Sequence, residues 1–257
     1  MLTEKIIVTP VSLFLFAHQD DEYGVFQKII DELHAGNLVY CAYLTDGSVR
    51  NVPTERRNSE SLRVLTKIGV LERNIVFAGS ILSIRDGKLP ENSSLATRWI
   101  RDWFASYPLI CSIYVPAWEG GHHDHDALHA ITVRIVDGFG CLSIVHQFPL
   151  YNGYQCKGPF FRLLLPLPNN GPIENKRILW KDRLRFLGFC ISYSSQAKSW
   201  LGLFPFVLLH YLIHGLQSIQ PVSVDRISCR PHAGPLYYER RKFYTWENMF
   251  NSLVKLQ

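Results

Sequence analysis

The chain reads as an α/β protein: a Rossmann-like, mostly parallel sheet with helices on both faces, extended by an irregular, aromatic-rich C-terminal region. Three observations predict this. Short apolar runs alternate with helix-period segments through roughly the first 150 residues, the pattern of strands joined by crossover helices. The first run, Leu13-Phe14-Leu15-Phe16, is apolar throughout, as a strand covered on both faces is. A chain of 257 residues with 47% hydrophobic and 19% charged residues has enough apolar material for one large core.

Each element follows from local pattern. Ser12–Phe16 is the first strand. Gly24–Ala35 is a helix with Val25, Phe26, Ile29, Ile30 and Leu33 on one face, closed by Gly36-Asn37. Leu38–Leu44 is the next strand, and Thr54–Ile68 a helix with Leu62, Leu65 and Ile68 inward, ended by Gly69. Asn74–Phe77 resumes strand, Leu95–Ser106 is helical and Ile110–Val115 is strand. Asp124–Val136 is helical, and Leu142–Val145 is strand again. Residues 1–150 form the expected catalytic core. Residues 151–257 are rich in aromatics, Pro and Leu with poor periodicity, and are expected to pack on that core as part of the same domain.

Charge and cysteines narrow the class. The net charge of +5 is mild and shows no basic stripe or nucleic-acid module, which argues against a nucleic-acid partner. The six cysteines include no Cys-x-x-Cys pair, and Cys41, Cys111 and Cys190 sit in apolar runs as expected of buried free thiols. Met1–Lys5 lacks the pattern of a signal peptide. These features predict a reducing, cytoplasmic setting. Trp200–Leu216 is almost wholly apolar but shorter than the ~20 residues of a spanning helix. It is expected to be a buried helix, with a surface touching a membrane or a lipid-linked substrate as the alternative.

Chemistry concentrates in two short segments. Ala17-His18-Gln19-Asp20-Asp21-Glu22 follows the first strand, at the sheet edge where ligands bind in such folds. Three adjacent carboxylates repel one another unless a cation or donors compensate them. The alternative, an acidic first turn favouring the helix dipole, loses force beside His18 and beside His122-His123-Asp124-His125 a hundred residues on. His18, Asp21 and His125 make a two-histidine, one-carboxylate set with a coordination position left open, the arrangement of a catalytic rather than structural zinc. Such an ion activates water near neutral pH. Asp20 is then free to act as general base, and His122 as oxyanion partner or acid. The parts add up to metal-assisted amide hydrolysis.

These residues resemble the PIG-L/LmbE-like family of N-acetylglucosaminyl deacetylases. The family's Ala-His-Pro-Asp-Asp-Glu motif reads Ala17–Glu22 here, and its His-x-Asp-His reads His122-His123-Asp124-His125. Leu44-Thr45-Asp46-Gly47, Arg57-Asn58-Ser59-Glu60 and Ile68-Gly69-Val70 match further elements in order, so the resemblance spans about residues 12–145. It implies that His18, Asp21 and His125 hold Zn²⁺ or another divalent ion such as Fe²⁺. It implies Asp20 as base, His122 as acid and oxyanion partner, Asp124 as the residue tuning a neighbouring histidine, and Arg57 and Asp46 as substrate contacts. Gln19 stands where the family usually has proline, which removes a stiffening ring from the turn.

The activity implied is removal of acetyl from an N-acetylated amino sugar or glycoconjugate, free or lipid-linked, in glycan or glycolipid biosynthesis. An amidase acting on a thiol conjugate or an acylated secondary-metabolite sugar, or a silent binding module, would share the scaffold. Among the other histidines, His123 is expected to be exposed or behind the ligands, His129 packed or behind the ligands, and His232 structural. Tyr237, Tyr238 and Trp246 are open between sugar stacking and core.

Overall fold

The computed structural model of the chain describes residues 8–48 and 52–254. Met1–Lys5, on which the leader-peptide expectation rests, lies outside them. Five strands form the parallel part of one sheet: β1 (Val11–Phe16), β2 (Leu38–Tyr43), β3 (Ile75–Val76), β4 (Ile110–Pro116) and β5 (Val145–Phe148). Their spatial order is β3-β2-β1-β4-β5. The order reverses between β1 and β4, and a crevice at such a switch point is where open α/β sheets bind ligands.

Alternation along β1 explains its unbroken apolar run. Phe14 and Phe16 enter one core with α1 (Phe26–His34) and α2 (Thr54–Ile68). Leu13 and Leu15 enter the other with α4 (Ser93–Ala105) and α5 (His123–Gly138), numbered after the short α3 (Ala78–Leu82). Helices therefore cover both faces, as expected of a parallel sheet.

The second half extends the same sheet. A small pair, β6 (Tyr151–Asn152) and β7 (Arg162–Leu163), stands apart from it. β8 (Glu174–Arg177) and β9 (Leu216–Pro221) then add to β5 in antiparallel fashion, with β8 outermost. Between them run α6 (Trp180–Cys190) and α7 (Ala197–Ile213), which pack on each other and on the Phe14 side of the sheet. Short helices α8 (Val224–Ile227) and α9 (Tyr237–Arg240) precede α10 (Trp246–Val254), which joins the opposite core through Met249 and Leu253.

Several expectations shift. The helix expected from Gly24 begins at Phe26, because Asp21–Gly24 is a separate 3-10 turn. The last parallel strand is Val145–Phe148, not Leu142–Val145, and Leu142–Ile144 forms a 3-10 turn before it. Cys111 is only partly buried, whereas Cys41 and Cys190 are buried, and all six cysteines are free. Trp200–Leu216 is not a buried helix: α7 buries Trp200, Val207, His210 and Tyr211 but leaves Leu201, Leu209, Leu212 and Ile213 exposed. One layer of helix covers this side of the sheet, so only the inward face of α7 finds a partner. Among the described residues no helix is long and apolar enough to cross a membrane.

Candidate active site

The turn after β1 and the start of α5 bring together the residues singled out above. Asp21 folds back on the strand end: its Oδ2 accepts from the backbone N–H groups of Ala17 (3.0 Å) and His18 (2.8 Å). Its Oδ1 lies 3.0 Å from His125 Nε2, and His18 Nδ1 lies 3.1 Å from the same nitrogen and 3.6 Å from Asp21 Oδ2. A tetrahedral ion with bonds of about 2.0–2.1 Å sets its donors about 3.3 Å apart. The spacing of these three donors fits such an ion, and all three residues are buried. Burial opposes ionisation of Asp21, but His125 and His18 hold its carboxyl well below the usual carboxylate range.

The far side of His18 is also occupied. Its Nε2 lies 3.0 Å from Asp124 Oδ2 and 3.3 Å from Asp86 Oδ1. Asp124 is fixed by the backbone N–H groups of Gly87 (2.6 Å) and Leu89 (3.0 Å). A carboxylate at the second ring nitrogen sets the tautomer and direction of a ligating imidazole. His18, Asp86, His122 and Asp124 form a second donor cluster around that nitrogen. His122 stands at the N-cap of α5, where its Nδ1 accepts from the Asp124 amide at 3.2 Å. Burial, with His18 and His123 nearby, pushes His122 well below its ordinary value and so favours the neutral ring.

Asp20 sits beside the first cluster in a left-handed backbone conformation, φ 107°, which a non-glycine residue adopts at a cost of about 1–3 kcal/mol. Burial pushes its carboxyl up to about 8 against the pull of Arg57, with Asp21 and Glu22 adding repulsion. One segment of the second half clasps this turn. Trp200 Nε1 donates to Asp20 Oδ2 (3.1 Å), Tyr193 Oη to Glu22 Oε1 (2.8 Å), and the Gln196 amide to the Gln19 carbonyl. Tyr193 and Trp200 stack at 5.8 Å. Gln19, lacking proline's ring, is held instead by hydrogen bonds: its Nε2 donates to Asn58 Oδ1 (2.7 Å) and its carbonyl also accepts from Arg57 Nη2 (3.0 Å).

Arg57 and Asp46 are placed differently from one another. Arg57 is 2% exposed, and its Nη1 bonds the Gly47 carbonyl (2.6 Å) and Asp86 (3.0 Å), so its fork ties the loops behind Asp20. Asp46 is not brought to the cluster. Its Oδ1 accepts from the amides of Ser48 (2.7 Å) and Asp86 (3.3 Å), shaping the loop that carries Asp86.

His123 is buried, not exposed: it stacks on Tyr244 and reaches the Gly87 carbonyl at 3.0 Å. His129 bonds the Pro116 carbonyl at 2.9 Å, and burial lowers it to about 4. His232 is buried and bonds the Ala233 carbonyl. Tyr238 and Trp246 pack internally, while Tyr237 lies edge-on to Tyr151, whose ring is 5.7 Å from that of His125.

Sequence reasoning missed three buried or half-buried acids. Asp86 lies in an Asp-Gly turn, where an aspartate ordinarily serves the backbone. Glu119 accepts from the amides of Leu150 and Tyr151 and from Asn152, and Asp126 accepts from those of Glu119 and Gly120. Together they anchor the loop between β4 and α5. Glu119 lies in the loop Trp118–Gly121, where only its apolar setting hints at an internal role.

Fold and site together define a Rossmann-like α/β protein with a His/Asp cluster suited to a divalent ion at the switch point of its sheet. The family model for GlcNAc-PI de-N-acetylase (PIG-L) matches residues 13–136, the stretch that carries the motifs by which the chain resembles the PIG-L/LmbE-like family. Among solved structures it is similar to the zinc-inhibited form of teicoplanin deacetylase Orf2 (TM-score 0.63, 14% identity, 83% of this chain and 98% of that one). It is also similar to the A40926 pseudoaglycone deacetylase Dbv21 (TM-score 0.59, 17% identity, 89% and 100%). A third is the N,N'-diacetylchitobiose deacetylase of Pyrococcus horikoshii (TM-score 0.58, 14% identity, 87% and 87%). At these identities the likeness establishes the fold. No curated protein matches the chain.

Proposed function

We propose that the protein is a metal-dependent hydrolase that removes the acetyl group from an N-acetylated amino sugar. The observation that carries this reading is the spacing of His18 Nδ1, His125 Nε2 and the Asp21 carboxylate at 3.0–3.6 Å, with Asp20 beside them and outside the donor set. His18, Asp21 and His125 would hold a divalent ion, zinc by the chemistry of this donor set, which when bound would supply Lewis acidity and acidify water.

The chain's own groups do the rest. Asp20, held by Trp200 and returned to its ionised form by a cation in the neighbouring donor set, would accept the proton of the attacking water. His122, neutral and tethered at Nδ1 by the Asp124 amide, presents Nε2–H to the developing oxyanion, and the proton that Asp20 has taken from the water passes to the leaving amine. Asp124 holds His18 through Nε2, leaving Nδ1 as the ligating atom. Arg57 keeps the Asp20 turn and the Asp86 loop in register, so its influence on substrate is exerted through them. The N,N'-diacetylchitobiose named for one of the similar deacetylases supports an amino-sugar substrate; free, nucleotide-linked and lipid-linked forms are the candidates.

The test is acetate release from a panel of such N-acetyl sugars by metal-stripped protein, with and without added Zn²⁺. Release from one branch of the panel only when metal is restored is expected. No release from any, in protein that has rebound metal, would remove N-acetyl sugars as the substrate class.

A further inference from the structure

Two helices of the second half carry more apolar surface than the fold covers. α6 buries Phe186, Phe189 and Cys190, yet exposes Trp180 (54%) and Leu184 (66%), as well as Ile191 (68%) at its C-cap. Those three recur at intervals of four and seven residues, which is one stripe of a helix. On α7 the exposed set is Leu201 (81%), Leu209 (51%), Leu212 (48%) and Ile213 (70%), again on one side, with Val207, His210 and Tyr211 inward. A groove of about 200 Å³ runs beside this face, lined by Phe161, Arg162, Phe206, Leu209 and Ile213 among others. Isolated exposed leucines need no explanation; two such stripes on helices that pack together do.

The charge of the same region is lopsided. Residues 151–216 contain eight Lys or Arg and two Asp or Glu, a net +6, against +5 for the whole chain. The remainder of the molecule is thus close to neutral. Lys181 and Arg185 flank the α6 stripe, and Lys198 begins the α7 stripe three residues before Leu201; all three are exposed. Apolar stripes on helices bordered by lysine and arginine, with a tryptophan at one end, are the composition that lies in a lipid interface and is drawn to anionic headgroups.

We propose that the outer face of α6 and α7 docks this protein peripherally on an anionic lipid bilayer. The charge favours this over a second copy of the chain, since a two-fold contact sets each patch against itself and brings its lysines and arginines together. The 17 residues of α7 fall short of a bilayer crossing, so the helix lies on the surface. This face stands apart from the candidate metal ligands, yet it is connected to them. Trp200, in the first turn of α7, bonds Asp20. An aromatic path also links His125 to the groove, by Tyr151 (5.7 Å), Phe161 (6.2 Å) and Phe206 (4.8 Å). Docking through α7 therefore sets the candidate active site beside the lipid surface.

The experiment is co-sedimentation of the full chain with vesicles of phosphatidylcholine alone or with phosphatidylserine added, read alongside analytical ultracentrifugation without lipid. Binding to the phosphatidylserine vesicles, weakened by salt and slight on phosphatidylcholine alone, is expected. Leu201→Glu with Leu212→Glu, both at exposed positions, should lower that binding at least tenfold while leaving the circular dichroism spectrum unchanged. Lys181→Glu and Lys198→Glu should each lower it roughly fivefold, and only on anionic vesicles. Absence of vesicle binding at low salt overturns the proposal, as does binding that the leucine pair leaves intact. A dimer in solution that the leucine pair splits would give the face to a second copy and also overturn it. Acetate release from soluble N-acetyl sugars is read separately, so failure here is distinct from failure of the deacetylase reading.

Discussion

His18 and Asp21 come from the turn that ends β1 and His125 from the first turn of α5, and each is fixed by neighbours from the first half of the chain. Tyr193, Gln196 and Trp200 come from the second half and touch the same turn without contributing a donor to the three-residue cluster. The first half thus supplies the groups that would meet an ion, and the second holds the groups beside it in place. The contrast teaches where chemistry and precision reside: ligand identity is local to two short motifs, whereas the aim of Asp20, in a backbone conformation few non-glycine residues adopt, depends on contacts about 180 residues away in sequence.

Substitutions in the two regions should differ in kind. The largest effect is expected at Asp20, where Asp20→Asn removes the proton acceptor. Turnover should fall by about 10²–10⁴-fold with bound metal retained, as checked by steady-state rates and metal analysis on one sample. Asp124→Asn leaves all three donors in place but loosens the tautomer of His18. Metal affinity should weaken by about 10- to 100-fold in competition with a chelator.

Crossing to the second half, Trp200→Phe keeps the ring stacked on Tyr193 and deletes only the N–H. The lost hydrogen bond to a carboxylate predicts a fall in kcat of about 10- to 100-fold with metal content and KM held. An equal loss in Asp20→Asn and in the double variant would show that Trp200 acts through Asp20. Smallest is a control away from the site. Burial holds His129 near 4 in the folded state against about 6.5 unfolded. The unfolded chain therefore binds the extra proton as pH falls from 6.5 to 4, and stability declines across that window by up to about 1.4 kcal/mol per pH unit. His129→Gln should flatten the urea-denaturation free energy over the same window, with turnover at neutral pH little changed.

Much of the first half was legible because its signals are local. Leu13–Phe16, the Gly69 stop and the two histidine motifs each carry their meaning within a few residues. The elements that escaped are those whose polar groups are satisfied from afar. The last parallel strand runs through His146 and Gln147, and Gln147 fits there because its side chain accepts from the Trp118 amide (3.0 Å) and donates to the Pro221 carbonyl (2.7 Å). β8 is Glu-Asn-Lys-Arg, exposed along its whole length, with no apolar alternation to betray it; a charged strand suits the outer edge of a sheet. Asp86 was invisible because an Asp-Gly turn looks the same whether its carboxylate faces water or His18. The apolar run of α7 was seen, but hydrophobicity alone does not say which faces find partners.

The central claim is that His18, Asp21 and His125, rather than the cluster on the other side of His18, hold the ion. Metal content after dialysis against trace Zn²⁺ tests it directly, comparing the natural chain with Asp21→Ala and Asp86→Ala. One zinc per chain is expected in the natural protein, none in Asp21→Ala, and near-stoichiometric zinc in Asp86→Ala. Full occupancy in Asp21→Ala together with loss in Asp86→Ala would contradict it, and would move the ion to the Nε2 side of His18 among Asp86, His122 and Asp124.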